Sequence, residues 1–329
     1  MTNTCKKIYI AIAGLLMAMT AQVNGTDCNQ LQSCGQNNCG IQPNNCAICN
    51  SEVNFKGELL YWRPELGGLE SAFGTTSITS TVASGIVSTT VTELDEDPKS
   101  KWNAGFRVGA DVVFDCYDVE LDWTHFNGSA HFNECDNYGH WKIRYDAIDL
   151  TLAERFCVTP CFYVKPFIGL RAVQIHQSLH SHLETLVTSL VGSNTVLSEM
   201  DDKENFWGVG PEVGIEADWY LGCNLSVYGC FDIVTYYGDI RGKNHDTDLF
   251  TTTESIANVK RNHCFNSIGT DAAIGFRWNK IWCCSCYETN LMVKLGAEQH
   301  RIYDFSNLGS DGTLSMDGGV FAVGVGFRY

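Results

Sequence analysis

Proline is scarce, at 6 of 329 residues, so no proline-rich linker divides the chain. Basic residues are also few, 22 against 38 acidic, a formal charge of −16 that argues against nucleic acid as the main partner. After residue 25 no apolar run approaches the roughly 20 residues a membrane-spanning helix needs. Also missing are Gly-x-Ser-x-Gly, His-Glu-x-x-His and a glycine-rich phosphate loop, which removes the hydrolase and nucleotide-binding classes that depend on them. What the chain does have is 44% hydrophobic residues, enough for a core, with 31 Gly, 17 Phe, 13 Tyr, 8 Trp and 16 Cys. So many cysteines do not fit a reduced cytosolic enzyme without a metal site.

Lys6 and Lys7 precede an uncharged, largely apolar stretch from Ile8 to Ala21, with small residues at Val23 and Gly25. A basic flank, a short apolar stretch and a small-residue cleavage site describe a secretory signal. The expected organisation is a signal peptide at 1–25, a cysteine-rich periplasmic segment at 26–51 and a single domain at 52–329. Removing Lys6 and Lys7 leaves 20 basic and 38 acidic residues.

Alternation sets the fold class. Trp102, Ala104, Phe106, Val108, Ala110, Val112 and Phe114 share one face of an extended segment, opposite Asn103, Arg107, Asp111 and Asp115. Trp207, Val209, Pro211, Val213, Ile215, Ala217 and Trp219 repeat the pattern against Gly208, Gly210, Glu212, Gly214, Glu216 and Asp218. Ile268 to Trp278 repeats it again. A period of two places each set on one face of a sheet. Segments of about 9–13 residues with aromatic ends fit the tilted spans of a membrane barrel. A soluble β-sandwich also alternates, but its strands are shorter, about 5–6 residues, and its outward face is polar.

Ten runs follow, near 52–63, 102–114, 117–126, 141–155, 162–173, 206–219, 224–237, 265–278, 287–300 and 319–329. In the fourth, Trp141, Ile143 and Tyr145 fall out of phase with Ile148, Leu150 and Leu152, which predicts a β-bulge. The connections 64–101, 127–140, 174–205, 238–264 and 301–318 are long, and those near 115–116, 156–161, 220–223 and 279–286 are short. The expected fold is therefore an all-β transmembrane antiparallel up-and-down β-barrel of the bacterial outer membrane, with long loops outside the cell. It has ten strands, or twelve if Thr75 to Leu94 adds a hairpin. The last run, Phe321, Val323, Val325, Phe327 and Tyr329, alternates to an aromatic carboxyl end. That ending is similar to the signal that barrel-assembly machinery reads.

Phe55-Lys56-Gly57-Glu58-Leu59-Leu60-Tyr61-Trp62-Arg63-Pro64, followed by Gly67-Gly68-Leu69-Glu70, resembles the first strand of the major-outer-membrane-protein-like porins of chlamydia-related bacteria and Legionella. Trp207-Gly208-Val209-Gly210-Pro211 and Gly324-Val325-Gly326-Phe327-Arg328-Tyr329 agree with it. The resemblance implies an abundant, pore-forming outer-membrane barrel rich in disulfides. The chlamydial major protein is longer and has more strands than the ten counted here.

Fifteen cysteines remain beyond Cys5 of the signal. Cys28, Cys34, Cys39, Cys46 and Cys49 lie in the amino-terminal segment, and Cys116, Cys157, Cys161, Cys223, Cys283, Cys284 and Cys286 at the short turns. These twelve are the disulfide candidates, all on the expected periplasmic side, where oxidation is permitted. An odd total leaves one without an intramolecular partner, so links to other envelope proteins or to a second copy are expected, with ordinary intrachain bridges or a zinc-thiolate site at Cys34, Cys39, Cys46 and Cys49 as alternatives. His176, His180 and His182 have a spacing that fits a metal, but solvated loop histidines explain them as well. The same holds for the acidic stretches Glu93 to Asp97 and Asp201-Asp202, which lack the ligand pattern of a Ca²⁺ loop.

The functional expectation is a porin-like channel for small hydrophilic solutes, without enzymatic activity or cofactor. Its lumen is lined by Lys56, Glu58, Arg107, Asp111, Glu120, Asp122, Lys165, Arg171, Glu212, Glu216, Lys294 and Glu298, and the alternation adds Lys142, Arg144, Asp271 and Arg277. Glu216 and Asp218 are expected to face water at the periplasmic mouth. The alternatives are a non-conducting envelope scaffold or adhesin, and an outer-membrane hydrolase built on His125 and Asp122. Expected partners are outer-membrane lipid, the barrel-assembly machinery and disulfide-linked envelope proteins.

Overall fold

The computed structural model describes residues 51–329 except 70–80, 83–84, 87–98, 115–116, 135–136, 160, 190–191, 249–252, 261–264, 285–286, 307, 309–311 and 329. The expected signal peptide and most of the expected cysteine-rich segment therefore lie outside the described residues. Ten long strands form one closed antiparallel barrel: β1 (Ser51–Leu66), β2 (Asn103–Phe114), β3 (Tyr117–Glu134), β4 (Asn137–Glu154), β5 (Phe162–Ser189), β6 (Gly192–Gly222), β7 (Leu225–Asp248), β8 (Phe265–Cys284), β9 (Tyr287–Tyr303) and β10 (Leu314–Arg328). Each pairs with its neighbours in sequence, and β10 closes onto β1 from Glu52↔Arg328 to Leu66↔Leu314. Closure removes the sheet edges that an open sheet exposes. The strand count is thus ten, because the short hairpin of Thr81–Val82 and Gly85–Ile86 forms a separate sheet.

Where the alternation predicts an apolar outer face, the wall has one. Trp207 and Trp219 are 50% and 58% exposed at the two ends of a band that includes Val209, Val213 and Ile215. Phe106, Val108, Leu121, Trp123, Leu150, Leu170, Phe276, Leu295 and Phe321 continue it around the barrel. At the end where β1 begins and β10 finishes the turns are short. Between β6 and β7 only Cys223 and Asn224 intervene, with φ of 52° and 65°, the positive values that a two-residue hairpin turn of the right twist requires.

Two sequence expectations need correction at the opposite, outer end. The segments 127–140 and 174–205 are wall as well as loop: β3 and β4 run to within two residues of each other, and β5 and β6 extend as one long hairpin to Ser189 and Gly192. The predicted bulge in β4 is absent, since its register with β3 and with β5 runs without a shift. The phase change has another cause. Ile148, Leu150 and Leu152 point outward in the membrane band, whereas Trp141, Ile143, Tyr145 and Ala147 point inward and are buried. Above the band the outside of the wall meets water and the inside is packed, so the apolar face changes sides while the strand stays regular. Lys142 and Arg144, assigned to the lumen by the bulge, are exposed on the outside.

Candidate functional site

The barrel interior has two unlike halves. The inner half, toward the short turns, holds a cavity of about 430 Å³ reaching from Glu52 and Asn290 near the inner mouth to Trp62, Tyr145 and His300 at mid-barrel. All twelve residues assigned to the lumen line it. Twelve carboxylates share its wall with seven lysine and arginine side chains.

Their side chains form two connected strings. Nearer the mouth, Arg277 bridges Glu216 at 2.6 Å and Asp218 at 2.8 Å, Lys165 bridges Glu216 at 3.0 Å and Asp118 at 3.2 Å, and Lys56 holds Asp122 at 2.8 Å together with Glu120. Deeper, Lys294 reaches Glu58 at 3.2 Å, and Arg107 joins Glu58 at 2.5 Å to Glu298 at 3.2 Å. His300 then links Glu298 at 3.3 Å to Asp271 at 3.0 Å. Arg171 ends this string as a hub, donating to Glu212 at 2.9 Å and to both Asp149 and Asp271. Asp111 accepts from Asn54 Nδ2 at 2.7 Å. Glu216 and Asp218 are therefore not free water-facing carboxylates, as expected from sequence, but ion-paired groups with Asp218 fully buried. Glycine makes room for one of these pairs: a Cβ at Gly109 would collide with the Asp122 carboxylate and the Lys56 stem.

The outer half is mainly apolar, with Gln177, Ser181, Asp202, Glu204 and Ser306 among its buried polar members. Phe126, Phe132, Trp141, Ile143, Ile175, Leu179, Phe206, Tyr236, Ile240 and Ile302 are buried inside the wall, with Phe305 and Leu308 of the β9–β10 connection packed among them. A polar strut ties that connection down. Trp141 Nε1 donates to Gln177 Oε1 at 3.0 Å, Gln177 Nε2 donates to Ser306 Oγ at 3.1 Å, and Ser306 Oγ donates to Glu204 at 2.5 Å. Sequence reading missed this seal, along with the lumen partners Asp149, Asp232 and His300.

The remaining candidates are scattered. His125 faces outward, against Asp146, Phe106 and Trp123, while Asp122 faces the lumen, so the two cannot form one hydrolytic site. Of the disulfide candidates, Cys157, Cys161 and Cys223 lie at the short turns, and the free thiol among the described residues is Cys230, in the cavity wall. Cys283 and Cys284 end β8, and Cys28, Cys34, Cys39, Cys46, Cys49, Cys116 and Cys286 lie outside the described residues. Among the described residues no three histidine, cysteine or acidic side chains converge on a metal position.

A closed antiparallel barrel with an apolar girdle outside and a charged interior is an outer-membrane β-barrel. The sequence model of the Legionella pneumophila major outer membrane protein precursor matches residues 47–296, and the chain belongs to that family. No curated protein matches it. Among solved structures it is similar to the outer membrane protease OmpT from Escherichia coli (9% identity, TM-score 0.39, covering 88% of this chain and 99% of that one). It is also similar to the Pseudomonas putida toluene transporter TodX (9%, 0.32, 85% and 90%) and to Ail, the attachment invasion locus protein of Yersinia pestis (10%, 0.26, 85% and 99%).

Proposed function

We propose that this protein is a porin-like outer-membrane barrel of low conductance, in which the charged chamber forms the inner half of a solute path and the apolar core of the outer half closes it. The observation that carries this reading is the 430 Å³ chamber whose wall mixes twelve carboxylates with seven basic side chains. So dense a set of ionised groups is tolerable only where pairing and water compensate their lost hydration. The excess of carboxylates favours small cations, and a narrow low-dielectric passage strengthens that bias. The outward apolar band would be solvated by lipid, and the alternating β10 strand read by barrel-assembly machinery. No catalytic role is proposed.

A second reading, a non-conducting scaffold or adhesin barrel, is favoured by the seal itself. About eight strands are filled by their own side chains, while 16–18 leave a channel, and ten lies near the filled limit. Planar-bilayer recording of refolded protein separates the two. The expected result is small, infrequent openings with a reversal potential showing weak cation preference, fading as salt screens the wall over about 8–10 Å. Silence in wild type and in a variant with the seal opened would establish the scaffold.

We further propose that the inner, turn-bearing face is cross-linked through disulfides and adds rigidity to the envelope. Support comes from the clustering of cysteines at that face, where Cys157, Cys161 and Cys223 are bonded within the chain, and from the odd total of fifteen beyond Cys5, which leaves a thiol for a second chain. Non-reducing gels of intact envelopes should show high-mass species that collapse on reduction. Monomer alone without reductant would rule out intermolecular links.

A further inference from the structure

Six of the chain's nine histidines, His125, His131, His140, His176, His180 and His182, lie on the outer side of three consecutive strands, β3, β4 and β5. The sequence pattern places five of them in the long connections 127–140 and 174–205; the structure puts all six on a regular sheet, where register decides which meet. His131 on β3 stands opposite His140 on β4, His140 stands opposite His180 on β5, and His180 stands opposite Asp201 on β6. Cross-strand partners share a face, so this is one continuous row. It lies six residues along β4 from Asp146, whose row holds Trp207 of the aromatic girdle through Gln174. At about 3.3 Å per residue, the row stands some 20 Å along the strand above the girdle, in water.

The ring orientations are not random. His180 Nδ1 meets Asp201 Oδ1 at 2.8 Å, within hydrogen-bond distance. A carboxylate that accepts the Nδ1 proton fixes the tautomer and leaves Nε2 with its lone pair, the arrangement that supports histidine metal ligands. His131 Nδ1 is buried without a hydrogen-bond partner.

We propose that this row binds a borderline divalent transition-metal ion, of the zinc(II) or copper(II) class, on the extracellular wall. His140 and His180 are the primary ligands, His131 is the third, and Asp201 is a positioning residue acting through His180. Residues directly opposite on antiparallel strands have Cβ atoms about 4.5–5.5 Å apart, within reach of one ion at a metal–nitrogen distance of about 2.0–2.1 Å. Nitrogen donors select this class over calcium or magnesium, which take oxygen. Among the described residues no three ligands already converge, so the ion must draw the rings together by side-chain rotation from a fixed backbone. This independent site does not rest on the channel reading.

The test is titration of zinc chloride into the full-length, oxidised, detergent-refolded protein, paired with electron paramagnetic resonance of bound copper(II). Wild type should take up one equivalent that is absent from the H140A/H180A double variant, and the copper spectrum should carry nitrogen hyperfine structure that disappears with it. H140A or H180A alone should weaken the site at least tenfold. Asp201→Asn should weaken it less, because an amide oxygen can still accept from His180 Nδ1 but without the charge. The substituted side chains are on the outer surface, so heat-modifiable gel mobility should confirm that each variant folds. No zinc uptake by wild type, or the same uptake by the double variant, would overturn the proposal. A copper spectrum dominated by sulfur ligands would place any uptake on the cysteines and overturn it equally.

Discussion

Truncating the seal is expected to convert a nearly silent barrel into a conducting one. Trp141 and Phe206 are almost completely buried, on β4 and β6. A W141A/F206A double variant removes two of the largest side chains from the outer half and releases Gln177 from Trp141 Nε1, which weakens the strut to Ser306. The space gained is lined partly by polar atoms of Gln177, Ser306 and Glu204, so water can enter where it would avoid a dry apolar void. Single-channel conductance should rise several-fold and openings should lengthen. The substitutions carry a cost of about 3–5 kcal/mol each for lost burial and cavity formation, so unfolding temperature in detergent should fall together with the gain in current. An unchanged current in a variant that is folded and destabilised would mean that the seal does not limit flow, whereas silence in both proteins would leave the closed-scaffold reading standing.

That seal also marks how far sequence reaches. Strand number, up-and-down order and the outward membrane band were legible because lipid on one side and water or charge on the other impose a period of two. The twelve lumen positions were legible for the same reason: Glu212 and Glu216 cannot share a face with Val213 and Ile215. What failed was the inference from phase to geometry in β4. A change of phase has two causes, a bulge or a change of surroundings, and a single strand does not distinguish them. Comparison of neighbours does. Phe126 is inward on β3 just past outward Trp123, Val173 is inward on β5 just past outward Leu170, and both lie near the level where β4 changes between Ala147 and Ile148. Simultaneous flips on adjacent strands mark a membrane boundary, whereas a bulge is local. Ion pairing was illegible for a different reason. Arg171 and Asp271 are a hundred residues apart, and only closure of the barrel brings them together.

Arg171 is where the second large effect is expected. Its guanidinium donates to Asp149, Glu212 and Asp271 and lies 3.6 Å from Asp232, so one cation holds four carboxylates from β4, β6, β7 and β8. The side chain is 9% exposed. Replacing it with methionine keeps much of the volume and removes the charge, leaving like charges facing each other across the lumen. Breaking a buried pair by deleting one partner costs about 3–5 kcal/mol, because the charge left behind is neither hydrated nor compensated. With several carboxylates left behind, R171M should reach or exceed the upper end of that range. It should also unfold at lower temperature or lower denaturant than any single carboxylate variant in the same cluster. Lysine is not expected to rescue it, since an ammonium cannot meet three separate acceptors in the plane of a guanidinium. Adding Asp271→Asn and Glu212→Gln to R171M removes two of the exposed charges at nearly constant shape and should recover a substantial part of the loss. Denaturant unfolding of these variants beside wild type in lipid vesicles reads this directly. If R171M unfolds like wild type, or if the triple variant is less stable than R171M, the hub does not hold the wall together and the charged band acts only on passing ions.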